Sequence, residues 1–184
     1  MVPQPSGVRA EWLRRLRLAV VLMLGGCAGM SAIGLGVVAG VPLLIAPFGS
    51  TCMMVFGAPR AAFAQPRNVF GGHLICTATA LGFVQIHLDR LWAVPFAAGL
   101  AMGLMSLADS FHPPAGGDTI LVFLIHPGWV FLFMPILLGC LILVLTAVLF
   151  HNVRERGTYP YPAGRWLSVR SRKVDTAPPR SEVG

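Results

Sequence analysis

Charged residues are scarce in this 184-residue chain: they make up 11% of it, against 55% hydrophobic residues. A water-soluble domain of this length carries far more charge, so the composition predicts an integral membrane protein. Recognised catalytic motifs are missing too, since there is no Walker sequence, no H-E-x-x-H and no G-x-S-x-G. The sequence therefore gives no support for an enzyme.

Cysteines are few, and none forms a C-x-x-C motif. The four of them are scattered through apolar segments, so we interpret them as small buried apolar residues. Asp109, His112 and Asp118 do not clearly converge on one point, because prolines break the segment that carries them. We accordingly expect neither a metal nor a cofactor.

Positive charge is concentrated at the two ends of the chain, whose net charge is +7. Only three arginines, Arg60, Arg67 and Arg90, lie between the first and the last apolar run. The positive-inside rule then puts both ends in the cytoplasm and requires an even number of crossings. Juxtamembrane arginines explain the charge, so no nucleic-acid partner is expected. The predicted organisation in a plasma (inner) membrane is a basic N-terminal segment 1–17, a transmembrane domain 18–153 and a basic, proline-rich cytoplasmic tail 154–184.

Breaks in the apolar pattern predict the helices. Residues 1–10 are interpreted as disordered, and the first span runs from Leu18 to about Ile45 with breaks at Pro42 and Pro47. The pieces 48–58 and 115–125 are too short to cross a bilayer alone. The other predicted segments are a helix from Val69 to about Leu88 with Asn68 as its N-cap, a span over 91–108, a turn at 126–128 and a last span over 129–150. His87, His126 and His151 are expected near span ends, and Tyr159-Pro-Tyr-Pro162 outside the fold.

An internal repeat appears at an offset of 67 residues. Pro47-x-Gly49 falls on Pro114-x-Gly116, and Gly72-x-Leu-Ile75 falls on Gly139-x-Leu-Ile142. The fold class predicted is thus all-α transmembrane, with repeats over about 18–88 and 91–153. Each repeat contains a span, a short helix broken by Pro-x-Gly, and another span.

Two topologies satisfy an even number of crossings. If the short helices cross, the protein has a 3+3 inverted arrangement of six passes; if they re-enter, it has four full spans and parallel halves. Six passes put Arg60 and Arg67 inside and Arg90 outside, and four passes reverse all three. Six passes thus put two of the three arginines on the cytoplasmic side and four passes put only one there, so the positive-inside rule favours the inverted arrangement.

Both Pro-x-Gly breaks resemble helix starts that bind anions. Proline is tolerated in the first turn, where N–H groups and the helix dipole attract negative charge, and glycine lets a ligand approach the backbone. The alternative is that the breaks only kink the chain and permit packing. The candidate substrate-binding residues are Pro47, Phe48, Gly49, Ser50, Thr51, Arg67, Asn68, His73, His112, Pro113, Pro114, Ala115, Gly116, Gly117, Asp118 and Thr119.

Several of these residues have more than one interpretation. His112 can donate to an anion, carry a proton near neutral pH, or be a buried histidine paired with Asp109. The helix dipole stabilises a negative Asp118 in the first turn, but the same charge would repel a bound anion. Asp118 therefore faces away as a cap, pairs with an arginine or is protonated. Arg67 is a candidate for attracting substrate or an ordinary loop arginine. For His73 the default is a structural hydrogen bond.

The motifs resemble a known group, the HPP family of integral membrane proteins, over roughly residues 18–162. They include Ala46-Pro-Phe-Gly49, Ala64-Gln-Pro-Arg-Asn-Val69, Gly71-Gly-His73, Phe111-His-Pro-Pro-Ala-Gly116 and the closing Asn152…Tyr159-Pro160. Members of that family are described as nitrite transporters, so the resemblance implies a small-anion transporter.

We therefore expect a transporter or channel for a small, nitrite-like inorganic anion, with the lipid bilayer as its surroundings and a homo-oligomer as a possible assembly. The alternative is a membrane scaffold or accessory subunit whose Pro and Gly breaks serve only packing.

Overall fold

The computed structural model describes residues 5–40 and 43–160, and this range is helical with no β-strand in it. Its α-helices are α1 (Pro5–Val38), α2 (Ala46–Gly57), α3 (Pro66–Gln85), α4 (Val94–Leu107), α5 (Gly116–Ile125) and α6 (Leu138–Arg154). Short 3-10 turns at Ala62–Ala64, Leu91–Ala93 and Pro113–Ala115 lead into α3, α4 and α5. The all-α prediction is confirmed for the residues that the structure describes.

Two helical stretches within the described ranges are long and apolar enough to cross a bilayer by length and composition. They are Arg9–Val38 and Leu132–Arg154, and Leu91–Leu107 and Pro113–Ile125 are shorter apolar helices. Large apolar side chains are exposed along them, for example Leu35, Leu107 and Leu145. An outer surface of this kind suits lipid rather than water.

The first helix differs from its prediction at both ends. It begins at Pro5, so the disorder predicted for residues 1–10 is wrong from Pro5 onward; proline is favoured at a helix start because its missing N–H would be unpaired there. The helix ends at Val38, short of Ile45, and Gly40 follows with a left-handed φ of 82°. The predicted break at Pro42 lies outside the described residues.

The start of α3 corrects the prediction of a helix capped by Asn68. Gln65 is the N-cap and Pro66 the first helical residue, so Asn68 lies inside the first turn. Proline pre-sets the φ angle of a first helical position, and this preference decides the boundary. The amide of Asn68 donates instead to the carbonyl of Phe111, at 2.9 Å.

The last span is kinked, which the sequence interpretation did not foresee. Pro135 lies in a wide turn over Leu132–Leu137 in which Met134 is extended (φ −138°, ψ 113°), because proline cannot continue a helical hydrogen-bond ladder. The helix then continues to Arg154. His151 lies in the last turn of α6, near a span end as predicted, and it is buried there with Nε2 donating to the Val55 carbonyl at 3.0 Å.

The segment after α6 folds back onto the helices. Tyr159 is fully buried and its hydroxyl donates to the Ala64 carbonyl at 2.9 Å, while Asn152 donates to the carbonyl of Tyr159 itself. The prediction that Tyr159-Pro160 lies outside the fold is therefore wrong, and the rest of the predicted tail, 161–184, lies outside the described residues.

Helix packing brings the connections to two ends of the bundle. α1 packs on α2 and α6, α4 packs on α5 and α3, and α3 and α6 also contact α5 and α2 respectively. Arg60, between α2 and α3, approaches Glu155 after α6 at 3.7 Å. Asp89, between α3 and α4, approaches His126 after α5 at 3.4 Å. The α2–α3 connection thus lies beside the end of α6, and the α3–α4 connection lies at the end of α5.

Candidate functional site

A chain of hydrogen bonds between buried polar side chains runs through the centre of the bundle. Asp118 Oδ2 is within hydrogen-bond distance of His73 Nδ1, and the other ring nitrogen, His73 Nε2, is 2.8 Å from Thr51 Oγ1. The same hydroxyl is 3.0 Å from His112 Nε2, and His112 Nδ1 donates to the Phe63 carbonyl at 2.6 Å. We call Asp118, His73, Thr51 and His112 the polar chain. All four side chains are fully buried.

The four residues come from four different parts of the sequence. Thr51 lies in α2, His73 in α3, His112 in the loop before α5, and Asp118 in the first turn of α5. His73 is the eighth residue of α3, about 11 Å along it at 1.5 Å per residue. Buried ionisable groups within apolar segments are unfavourable unless they are paired and used, so this cluster marks the candidate site.

Two glycines of α3 allow the His112 loop to approach the helix. A Cβ atom on Gly72 would lie 2.5 Å from the Cβ of His112, and one on Gly71 would lie 2.5 Å from the Cβ of Ser110. Side chains at these positions would push the loop away from α3. The Gly71-Gly-His73 motif therefore places His73 beside His112 in the loop.

Some buried oxygens around the polar chain have no hydrogen-bond partner in the part of the chain that the structure describes. They include Asp118 Oδ1 and the hydroxyls of Thr77 and Thr119. Thr77 lies beside the Asp118 carboxyl without hydrogen-bond geometry. Unpaired buried polar atoms are rare in proteins, and their concentration here is a further reason to regard this cluster as the candidate site.

A cavity of about 450 Å³ lies where α2 and the Pro113–Ile125 helix begin, and no residue of the polar chain lines it. The two starts meet there, because a Cβ on Gly117 would lie 3.0 Å from Pro47 Cγ. Ser50 and Gly117 line the cavity, and the next residue of each helix belongs to the polar chain. The other lining residues are Ala46, Pro47, Pro113, Pro114, Ile120, Leu121 and Leu124.

The structure divides the predicted site residues between these two features. Pro47, Ser50, Pro113, Pro114 and Gly117 line the cavity, and Thr51, His73, His112 and Asp118 form the polar chain. Phe48 packs edge-on to His73 with ring centroids 5.3 Å apart, Ala115 is buried against Gly72, and Gly49 and Gly116 have no neighbour that an added Cβ would meet. Thr119 is fully buried.

Arg67 and Asn68 contact the loop rather than the polar chain. Arg67 is exposed and donates to the Ala108 carbonyl at 2.9 Å, and Asn68 holds Phe111. Both ring nitrogens of His112 have partners other than Asp109, so the alternative of a pair with Asp109 is wrong. Of the three alternatives for Asp118, pairing with an arginine is wrong as well, since His73 is its partner.

Sequence reasoning missed two contacts that support the site. The Phe63 carbonyl orients His112, and the neighbouring Ala64 carbonyl is held by Tyr159. Burial raises the pKa of Tyr159, so its hydroxyl remains a donor to high pH. Carbonyl groups carry no sequence signal, but the offset of 67 residues does pair Thr51 with Asp118, the two residues that bond to His73.

No group of three histidine, cysteine or acidic side chains that could hold a metal ion is present within residues 5–40 and 43–160.

Comparisons with known proteins agree on a membrane protein. Residues 13–160 match the family model described as HPP, transmembrane region. Two proteins of Dictyostelium discoideum described as transmembrane proteins are 33% and 32% identical over 127 residues, which is 64% of this chain. The chain spans 44% and 40% of the length of these relatives. No solved structure matches it. The family match covers most of the chain, and this protein belongs to the HPP transmembrane family.

Proposed function

We propose that this protein is a membrane transporter or channel for a small, nitrite-like inorganic anion. The anion binds in the cavity between the starts of α2 and the Pro113–Ile125 helix. The resemblance to the HPP family implies nitrite, and the relatives found by comparison are named only as transmembrane proteins. The chemistry proposed is binding and passage, without a catalytic step.

One observation carries the proposal: two short helix starts meet at a cavity, and the residues that directly follow its lining residues Ser50 and Gly117 belong to the fully buried polar chain. Helix starts present positive dipole ends, which favour an anion. Prolines remove some first-turn N–H groups, and Phe48 N–H bonds to Ile45. The dipoles and side chains such as Ser50, rather than a cradle of free amides, therefore supply the attraction.

The contacts between helices support a repeat of two similar halves. Exchanging the two halves of the chain turns α1–α2 contact into α4–α5, and α2–α6 contact into α5–α3. Gly72 packs against Ala115, and its repeat counterpart Gly139 packs against Phe48, the counterpart of Ala115. We propose six alternating passes in a plasma (inner) membrane with both chain ends cytoplasmic. A homo-oligomer would cover the open side of the cavity.

Nitrite uptake into proteoliposomes tests the proposal. The Gly117→Leu variant fills the cavity at the contact with Pro47, and we expect its nitrite flux to fall about tenfold or more below that of the unchanged protein. Ser50→Leu fills the same cavity from α2 and should act alike. Gly99→Leu is the matched control, because its added side chain meets open space on α4.

Each variant is first checked for monodispersity in detergent, so that loss of fold is separated from loss of flux. Absence of flux above protein-free vesicles for nitrite, nitrate, formate and chloride would refute the transporter and favour the scaffold. Equal flux in Gly117→Leu, Ser50→Leu and Gly99→Leu would place the pathway elsewhere.

A further inference from the structure

The hydrogen bonds of the polar chain, when all are formed, require a definite number of protons. Its four contacts run from Asp118 to His73, to Thr51, to His112 and to the Phe63 carbonyl, and each contact needs one hydrogen. Thr51 supplies one of the four hydrogens. The remaining three belong to the carboxyl and the two imidazoles, and with three such protons these groups have a net charge of zero.

Those three protons can be arranged in three ways that keep every hydrogen bond. Asp118 is a neutral acid, or it is a carboxylate beside a doubly protonated His73 or His112. The arrangements interconvert when Asp118 passes its proton to His73 Nδ1, His73 Nε2–H passes its proton to Thr51 Oγ1, and Thr51 passes its own to His112 Nε2. Removing one proton leaves a net charge of −1 and breaks one contact.

The groups around the polar chain do not compensate the charge of −1 that remains after one proton is removed. Other titratable groups near Asp118 are the buried thiols of Cys76 on α3 and Cys140 on α6, which are uncharged at neutral pH. Arg67 and Asp109, which flank the loop that carries His112, are exposed and lie outside the polar chain. A negative charge on the polar chain would therefore act on the cavity through a medium of low dielectric.

We propose that the polar chain is a proton-binding site that couples the movement of one proton to the movement of one anion. This rests on the proposed anion site. Ser50 and Gly117 line the cavity, and Thr51 and Asp118 directly follow them. A deprotonated polar chain repels an anion there and a protonated one accepts it. Proton and anion thus favour each other's binding, and linkage requires the effect to be reciprocal.

Titration calorimetry of the purified protein with nitrite tests the coupling. Injections in two buffers of different ionisation enthalpy give the number of protons taken up per nitrite bound. We expect uptake that rises with pH toward about one proton per nitrite. In Asp118→Asn, the amide can donate to His73 Nδ1 and reproduce the neutral arrangement, but it has no titratable proton. That variant should bind nitrite without proton uptake.

Gly99→Leu serves as the control, because its added side chain meets open space on α4, and it should take up protons as the unchanged protein does. Nitrite binding with no proton uptake at any pH would overturn the coupling and leave the anion site intact. Equal proton uptake by the unchanged protein and Asp118→Asn would also overturn it. Absence of nitrite binding to the unchanged protein would refute both the anion site and the coupling.

Discussion

Thr51 is the residue at which the two imidazoles meet. Its single hydroxyl contacts His73 Nε2 and His112 Nε2, so it donates to one ring and accepts from the other. A hydroxyl is suited to this position because it can reverse its direction by rotation. The residue therefore links the α3 side of the polar chain to the loop side.

Thr51→Val keeps the shape of the side chain and removes the hydroxyl. Two buried ring nitrogens lose a partner, so we expect the free energy of unfolding to fall by about 1–3 kcal/mol. Thr51→Ser keeps the hydroxyl and should lose clearly less. Denaturant unfolding in detergent measures both, and equal losses would show that the hydroxyl contributes nothing.

Tyr159 supports the site from outside it. Tyr159→Phe leaves the Ala64 carbonyl without its donor, next to the Phe63 carbonyl that holds His112, and should reduce stability by about 1 kcal/mol. Because burial raises the pKa of Tyr159 in the folded protein, the unfolded chain ionises first as pH rises.

The stabilising contribution of Tyr159 is therefore complete below about pH 10 and declines above it. Unfolding measured against pH should show this decline in the unchanged protein and a smaller one in Tyr159→Phe. An identical alkaline decline in both would contradict the assignment.

At the scale of elements, α3 organises the site through its small residues. The helix contacts α4 and α5, and its glycine pair lets the loop before α5 lie against it. Small residues have this role widely in membrane proteins, because close approach provides the packing that the hydrophobic effect does not provide in lipid.

Gly72→Ala should displace the His112 loop, since the added Cβ would meet His112 at 2.5 Å. We expect a loss of stability of about 1–3 kcal/mol, as for overpacking of a core. Gly82→Ala is the matched control in the same helix, where nothing lies within 4 Å of the added atom, and it should be neutral or stabilising. Equal destabilisation by the two variants would contradict close packing at Gly72. Thermal unfolding in detergent compares them.

Much at this scale was predictable from the sequence. Apolar runs and Pro-x-Gly breaks indicated the helices, and the breaks pointed to Thr51, His112 and Asp118, whereas His73 was expected to make only a structural hydrogen bond. The partner of Asp118 was not predictable, because His73 lies 45 residues away and only tertiary packing brings the two together. Local preferences misled at Asn68, where proline decided the helix start, and at Tyr159, whose burial depends on long-range contacts.

At the scale of the whole molecule, the ion pairs separate the connections into two groups. Arg60 lies beside Glu155 at the end of α6, and Asp89, next to Arg90, lies beside His126. Six alternating passes explain this separation, and they agree with the direction favoured by the positive-inside rule. In the proposed six-pass arrangement, the starts of the short helices, which line the cavity, lie within the membrane.

Cysteine labelling tests the six-pass arrangement. In a Cys27→Ser background the other three cysteines are buried, so Arg60→Cys or Arg90→Cys supplies the reactive thiol. An impermeant maleimide should label Arg60→Cys from the side of the chain ends and Arg90→Cys from the opposite side. Both exposed arginine positions reacting from one side, or with the sides exchanged, would contradict six passes.

Net nitrite entry driven by a proton gradient tests the coupling of proton and anion movement directly. Vesicles start with equal nitrite on both sides and an acidic exterior, and protein-free vesicles measure the passive leak of nitrous acid. Proton–anion coupling should give initial net entry about tenfold above that leak in the unchanged protein and none above it in Asp118→Asn. Equal entry in the unchanged protein, Asp118→Asn and protein-free vesicles would contradict it.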